Sequence, residues 1–302
     1  SKRAMLIAAA GRHSMLMICQ PGSGKSMLAA RMPGLLPALS EQQAIESAAI
    51  HSISHQHFNL SQYRLPPFRS PHHSASAAAL VGGGSHPKPG EISLAHHGVL
   101  FLDELTQFEQ RTLDLLREPL ENGSISISRV ARKIDYPADF QLIAAMNPCP
   151  CGYLGDEKRA CGTCTAEQIH RYRNKISGPI LDRIDLHVEV PAIPARQLME
   201  KTPQIDTASL REQVVTCRQM QSERCDKPNS ALNNQEIEAF AMPEKAGLQM
   251  LEQAIDKLGL SARAWHRILR VGRTIADLDQ SPQVLARHVA EAISYRRLDR
   301  LN

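Results

Sequence analysis

The sequence is poor in aromatic residues and in long apolar runs. Aromatics make up 4% of its 302 residues, with a single tryptophan, and no apolar stretch is long enough to cross a bilayer. No signal peptide opens the chain, and neither internal repeats nor low-complexity tracts occur. The formal charge of +4 permits nucleic-acid binding without arguing for it. We therefore expect a cytoplasmic protein of one large or two modest domains.

A glycine-rich loop follows the first apolar run of the chain. The apolar residues 15–18 precede the loop, and the helix-forming residues 27–30 follow it, which is the strand–loop–helix order of a phosphate-binding P-loop. Glycines let backbone N–H groups converge on phosphate oxygens, while Lys25 neutralises the β- and γ-phosphates and Ser26 ligates Mg²⁺. Cys19 replaces the first glycine of the motif, so we expect slightly altered affinity. The predicted nucleotide-binding residues are Gln20, Pro21, Gly22, Ser23, Gly24, Lys25, Ser26 and Met27.

Polar residues also end two later apolar runs. Asp103 and Glu104 follow the run 99–102, a pattern in which the aspartate holds Mg²⁺ and the glutamate polarises the attacking water. Asn147 ends the run 142–146 and can position that water, although asparagine also commonly ends strands. A solvated strand end is the alternative for the two carboxylates.

Two arginines outside these motifs are candidates for contact with the nucleotide. Arg183 lies just before the last predicted core strand, 185–190, where it can reach the nucleotide of a neighbouring subunit. Its alternative is a surface pair with Asp182 or Asp185. Arg263 opens a predicted helix and can contact the γ-phosphate in cis or in trans, or be a plain helix-surface arginine.

The order of predicted elements indicates an α/β class. Strands alternate with helices up to residue 190, which predicts a three-layer αβα core with a mostly parallel sheet. A Pro-rich polar stretch follows, and beyond it the pattern is helical throughout. We expect a core over 1–193 and an α-helical lid over 194–302, with lid helices at 208–225, 234–240, 244–258, 261–278 and 282–298.

Four of the seven cysteines are closely spaced. Cys149 and Cys151 are followed by Cys161 and Cys164, and four thiolates in two pairs suit tetrahedral structural zinc. The alternative is four reduced thiols in a loop. Histidines also cluster between 51 and 97, but their irregular spacing does not favour a metal.

These residues resemble the magnesium-chelatase-like ComM/YifB family of the AAA+ superfamily. Five further strings carry the resemblance, which covers the chain nearly end to end. They are 68–74 (FRSPHHS), 79–84 (ALVGGG), 89–96 (PGEISLAH), 146–152 (MNPCPCG) and 176–185 (ISGPILDRID).

The resemblance implies a hexameric ATPase, similar to helicases that promote branch migration of recombination intermediates in natural transformation. It implies that Lys25, Ser26, Asp103, Glu104, Asn147, Arg183 and Arg263 take the family's catalytic positions. The family usually carries an N-terminal Lon-protease-like domain, which we expect to be missing from this chain. ATP and Mg²⁺ are the implied cofactors.

The resemblance also implies two inserts that face the pore of a ring. One spans about 80–95 and the other is a hairpin over about 124–137. Lys88, Arg129, Arg132 and Lys133 can pair with DNA phosphates there, a contact that carries no sequence information and suits a translocating motor. A solvated basic turn is the alternative.

Three other functions compete with a DNA motor. The first is a magnesium-chelatase-type ATPase that remodels a protein partner and is indifferent to DNA. The second is a transcriptional activator of the sigma-54 type, which we discount because its loop carries an aromatic where this chain has Gly82 and Gly83. The third is an ATP-gated scaffold that binds branched DNA without turnover.

Overall fold

The computed structural model describes residues 1–54, 60–83, 88–129, 132–155, 161–191 and 206–296. Its centre is a five-stranded parallel sheet in the order β2-β5-β8-β1-β9. These strands are β1 (Met15–Cys19), β2 (Phe68–Arg69), β5 (Val99–Leu102), β8 (Gln141–Met146) and β9 (Leu186–Val190). Two antiparallel pairs stand outside it, namely β3 (Gly82–Gly83) with β4 (Lys88–Pro89) and β6 (Ser124–Arg129) with β7 (Arg132–Pro137).

Helices cover both faces of the sheet. Those of the core are α1 (Lys2–Gly11), α2 (Lys25–Ala30), α3 (Met32–Leu35), α4 (Glu41–Ile53), α5 (Ala77–Val81), α6 (Glu91–Leu94), α7 (Gln110–Asp114), α8 (Arg117–Asn122), α9 (Ala166–Arg173) and α10 (Gly178–Leu181). The C-terminal part is helical, with α11 (Thr207–Cys225), α12 (Asn234–Phe240), α13 (Lys245–Leu258), α14 (Ala262–Leu278) and α15 (Ala286–Ser294). This confirms the predicted αβα core followed by a helical region.

The central strands β1, β5 and β8 are apolar except for Gln141 at the start of β8, because both of their faces are buried. Side chains alternate between the two faces along a strand, so Met15 and Met17 of β1 join one apolar cluster while Leu16 and Ile18 join the other. The first cluster continues into the C-terminal helices through Ile268 and other apolar residues of α14. The sheet and the helical region therefore share one continuous core.

Several boundaries differ from the prediction. The sequence pattern Thr106 with Glu109 favours a helix cap after the carboxylates, but Thr106 lies in a short 3-10 turn instead. The helix there is split into α7 and α8, and the last helix begins at Ala286 rather than 282. Strand β2 lies in a segment expected to be loop-rich. The predicted boundary at 193/194 falls within 192–205, outside the described residues.

Candidate nucleotide site

The predicted P-loop joins β1 to α2 in the expected order. Gly22 and Gly24 both have φ of 77°, a left-handed conformation that side chains disfavour, and Gly24 occupies the N-cap of α2. The Ser23 hydroxyl is buried and has no partner among the described residues. The loop therefore directs hydrogen-bond donors to one place at the start of a helix, which is an arrangement suited to an anion.

The side chains expected to handle phosphate and Mg²⁺ meet at the carboxyl ends of β1, β5 and β8. Lys25 Nζ donates to Asn147 Oδ1 at 3.0 Å and lies 3.7 Å from Asp103 Oδ1. Ser26 Oγ donates to Asp103 Oδ2 at 2.7 Å. Hydroxyl and carboxylate oxygens are the hard ligands that Mg²⁺ takes, so Ser26 and Asp103 fit that ion.

Glu104 adopts a left-handed backbone conformation with φ of 51°. Its N–H donates to Asp103 Oδ1 at 2.8 Å, which helps to hold this turn. Its carboxylate lies 3.3 Å from Nδ1 of His73, a residue that follows β2. Nothing in the local sequence around His73 predicts this contact, because it depends on β2 lying beside β5.

The residue that replaces the motif's first glycine is part of the core. Cys19 is fully buried at the end of β1, and burial raises the pKa of its thiol. A neutral, buried thiol behaves as a small apolar side chain. Cys19 therefore packs beneath the loop without adding charge to the site.

The four clustered cysteines come together, as their spacing predicted. Their sulfur atoms lie within 4.8 Å of one another, with Cys149 and Cys151 at 3.3 Å and Cys149 and Cys161 at 3.8 Å. Zn–S bonds of about 2.3 Å in a tetrahedron place sulfurs about 3.8 Å apart. The four thiols, with Cys164 as the fourth, therefore fit a tetrahedral metal.

The cysteine loop packs directly on the P-loop. A Cβ at Gly152 would come within 2.7 Å of Pro21 Cγ, and Gly152 has φ of 85°. No other residue fits this close approach without moving one of the two loops. The cysteine cluster thus borders the nucleotide site.

Arg183 lies at the opposite end of the strands from Lys25. It precedes β9, whose first residue, Leu186, pairs with Met15 at the start of β1, whereas Lys25 follows the end of β1. Five residues of strand separate the two edges by about 15 Å. Arg183 donates to Glu121 and to the Pro179 carbonyl oxygen, not to either of the aspartates considered from the sequence.

Arg263 lies at the same edge as Arg183. Its Nη1 donates to Asp182 Oδ2 at 3.3 Å, and its side chain is 68% exposed. The structure thus groups Arg263 with Arg183 and away from Lys25. This placement does not favour contact with the nucleotide of its own protomer, and it leaves contact with another subunit's nucleotide or a plain surface pair with Asp182.

The two predicted inserts contact each other. A Cβ at Gly82 of β3 would meet the Lys88 carbonyl oxygen at 2.2 Å and Ile127 Cδ1 of β6 at 3.0 Å. Lys88 and Lys133 are exposed, and Arg129 pairs in register with Arg132 across the hairpin. The side chains of Arg129 and Arg132 lie outside the described residues.

A second cluster, formed by Glu46, His96 and His97, does not suit a metal. His96 Nδ1 accepts the N–H of Asp139 at 3.0 Å, and burial lowers the pKa of His96 to about 4. The neutral ring therefore carries its proton on Nε2, which faces Glu46 and has no lone pair for an ion. His97 Nε2 lies 2.7 Å from the same carboxylate. The cluster is a hydrogen-bonded contact between α4 and the segment before β5.

The parallel sheet, the P-loop and the carboxylates after β5 define a P-loop ATPase-like core of the AAA+ type. Residues 1–198 match the family described as magnesium chelatase, subunit ChlI, and residues 204–296 match the C-terminal family of that subunit. The chain therefore belongs to the magnesium-chelatase-like family that includes ComM and YifB.

Individual relatives span nearly all of this chain. It is 52% identical to the uncharacterized protein YifB of Escherichia coli over 99% of its length, and 51% identical to the competence protein ComM of Haemophilus influenzae over 100%. Identity to the uncharacterized protein Rv2897c of Mycobacterium tuberculosis is 39% over 97% of the chain. In each case the match spans 59% of the relative's own length. Within the described residues, no helix has the length and apolar character needed to cross a membrane.

Proposed function

We propose that this chain is an ATP-hydrolysing motor that works as a ring, a hexamer in the family, and acts on DNA. The observation that carries the proposal is the split of the catalytic groups between two edges of the sheet. Lys25, Asp103 and Asn147 meet at one edge, and Arg183 lies at the other. One protomer cannot bring both sets to one nucleotide, so a head-to-tail neighbour has to supply the arginine.

Each residue has a distinct role in the proposed reaction. Lys25 binds the β- and γ-phosphates, and Ser26 and Asp103 hold the Mg²⁺ that neutralises developing charge. Glu104 accepts the proton of the attacking water, which Asn147 orients. A neighbour's Arg183, with Arg263 beside it, stabilises the charge on the transferred phosphoryl group. The four-cysteine loop holds structural zinc and supports Pro21 of the P-loop.

The DNA part of the proposal is supported by the two adjoining inserts. The β3–β4 and β6–β7 pairs lie against each other and place Lys88 and Lys133 at exposed positions. Six copies of these inserts around a ring would bind DNA phosphates strongly and in a salt-dependent manner. The name of the competence protein ComM links that relative to competence, so we propose that the DNA is DNA taken up during transformation. Branch migration of recombination intermediates is the activity that the family resemblance implies.

Remodelling of a protein partner is the second candidate, and the magnesium-chelatase family description favours it. One experiment separates the two candidates. ATP turnover and migration of a four-way DNA junction are measured together, with and without DNA, at stated salt. DNA-stimulated turnover with junction migration supports the DNA motor. Turnover that is indifferent to DNA supports protein remodelling, and the absence of turnover contradicts both.

A further inference from the structure

The segment that carries Arg183 is held in place by helix α14. Arg267 lies one turn after Arg263, so both side chains face the same side of the helix. Its Nη1 donates to Asp185 Oδ1 at 2.5 Å and to the carbonyl oxygen of Arg183 itself at 3.3 Å. Arg267 therefore contacts the backbone of the candidate finger residue directly.

Asp185 links this contact to the core of the molecule. Its second carboxylate oxygen lies 3.2 Å from His13 Nδ1 and accepts the Ser14 N–H at 3.3 Å. His13 Nε2 in turn lies 2.7 Å from Thr274 Oγ1 of α14. Burial alone would raise the pKa of Asp185, but Arg267 and His13 outweigh it and hold that pKa well below its usual range. Asp185 is thus a buried anion that is hydrogen-bonded to Arg267 of α14 and to His13 and Ser14 before β1.

The same residues border a cavity of about 430 Å³. Four arginines and three carboxylates line it, and they are Arg12, Arg183, Arg267, Arg270, Glu121, Asp139 and Asp185. The Nε–H groups of Arg183 and Arg267 are buried donors without an acceptor among the described residues. The lining of the cavity therefore carries an excess of positive charge.

We propose that Arg267 is a positioning residue for catalysis at the neighbouring subunit's nucleotide, where it fixes Arg183 by holding Asp185 and the Arg183 carbonyl oxygen. This inference rests on the proposed function, since it needs Arg183 to act in trans. Because α14 also carries Arg263, which donates to Asp182, the helix contacts the finger segment at two points. The C-terminal helices of one protomer thereby set the geometry of the next protomer's ATP site.

The size of the expected effect follows from the geometry of phosphoryl transfer. A displacement of about 1 Å in a group that stabilises the transition state costs on the order of 10²-fold in rate. Removal of the Arg267 hydrogen bonds is expected to lower kcat by that factor. ATP affinity should be unchanged, because Lys25 and the P-loop lie at the other edge of the sheet.

The test compares three variants of the chain in ATP binding and steady-state turnover. Arg267→Lys keeps the charge but cannot bond to the carboxylate and the carbonyl together. Arg267→Gln combined with Asp185→Asn removes the buried charge pair as a unit, so that no unpaired anion destabilises the fold. Arg211→Gln, an exposed change on α11, is the matched control. Each variant is also mixed with an equal amount of Lys25→Ala protomers, whose own nucleotide site is defective but whose Arg267 is intact.

We expect the double variant to bind ATP like the wild type and to have a kcat that is lower on the order of 10²-fold. The kcat of Arg267→Lys should lie between the values of the wild type and the double variant. Mixing with Lys25→Ala should restore turnover, because those protomers supply an intact Arg267 to their neighbours. Unchanged kcat, weakened ATP binding, or no recovery on mixing each overturns the proposal. Arg183→Ala is assayed in parallel, and full turnover in that variant would overturn the trans finger itself and Arg267's role with it.

Discussion

At the scale of single residues, Glu104 is distinct from the residues proposed to bind phosphate and Mg²⁺. Its substitution should therefore affect turnover and not ATP binding. Glu104→Gln should keep ATP binding, since Lys25, Ser26 and Asp103 are untouched, and lose turnover by about 10²-fold or more because the general base is gone. Binding of a fluorescent ATP analogue and phosphate release are the two measurements. Glu109→Gln, an exposed carboxylate five residues on, is the control. Turnover that survives the Glu104 change removes this residue from the mechanism.

The contact between His73 and the Glu104 carboxylate supports a second residue-scale prediction. The contact restrains the carboxylate, and contacts between partly exposed polar side chains are worth about 1 kcal/mol at most. His73→Ala should therefore raise ATP turnover in the absence of DNA by no more than about fivefold. His72→Ala is the control, because the His72 ring lies tilted against the His73 ring, with centroids 4.0 Å apart, but is hydrogen-bonded to Ser74 and not to Glu104. Lower turnover in His73→Ala would instead mean that His73 assists Glu104.

The relative positions of site residues could be predicted where a local motif defines the geometry, while their catalytic roles stay predictions. Lys25, Ser26 and Asp103 could be placed from sequence because a P-loop and a strand-ending carboxylate meet at the same edge of a parallel sheet. Arg267 and His73 could not, since each acts through a partner more than thirty residues away in the chain. Nothing in their local sequence distinguishes them from ordinary surface residues.

At the scale of elements, the strongest local signals again gave the best predictions. Ser40 followed by Gln43 is the sequence pattern of a capping box, and the two residues form one at the N-cap of α4. The central strands likewise follow apolar runs. Strand β2 was missed because it has two residues and lies among histidines and prolines, where neither alternation nor an apolar run can develop. Its position is set by pairing with β5, which is a tertiary effect.

The cysteine loop is an element whose stability should depend on metal. Cys161→Ser should remove about one equivalent of zinc per chain and lower the midpoint of thermal unfolding, because a structural site contributes metal-binding energy to folding. It should also weaken ATP binding, since Gly152 of that loop rests on Pro21. Zinc content and a thermal melt are the measurements. Cys225→Ser, a half-buried cysteine outside the cluster, is the control.

Two results would contradict this expectation. The purified wild-type chain could contain no zinc and take up none on titration, which would leave four reduced thiols. Alternatively, Cys161→Ser could lose its zinc and melt at the wild-type temperature, in which case the metal would not support the fold.

At the scale of the whole molecule, the two ends of the sheet strands carry different candidate residues, so the protomer has a polarity. The residues proposed to bind ATP lie at one end of the sheet strands and Arg183 and Arg263 at the other, which is the polarity that a head-to-tail ring requires. The sequence indicated the parts of this arrangement. Their placement at opposite edges depends on the order of strands in the sheet.

The two exposed lysines of the inserts give a prediction about the salt dependence of DNA binding. Lys88→Gln with Lys133→Gln should weaken DNA binding and reduce the slope of log K against log salt by about 0.9 for each DNA phosphate that is no longer neutralised. A ring that uses several copies of each lysine would show a larger reduction. Basal ATP turnover without DNA should stay at the wild-type value, because neither lysine contacts the P-loop residues. Lys245→Gln, an exposed change on α13, should leave the slope unaltered. An unchanged slope in the double variant would mean that these inserts do not hold phosphates, and would favour a protein partner over DNA.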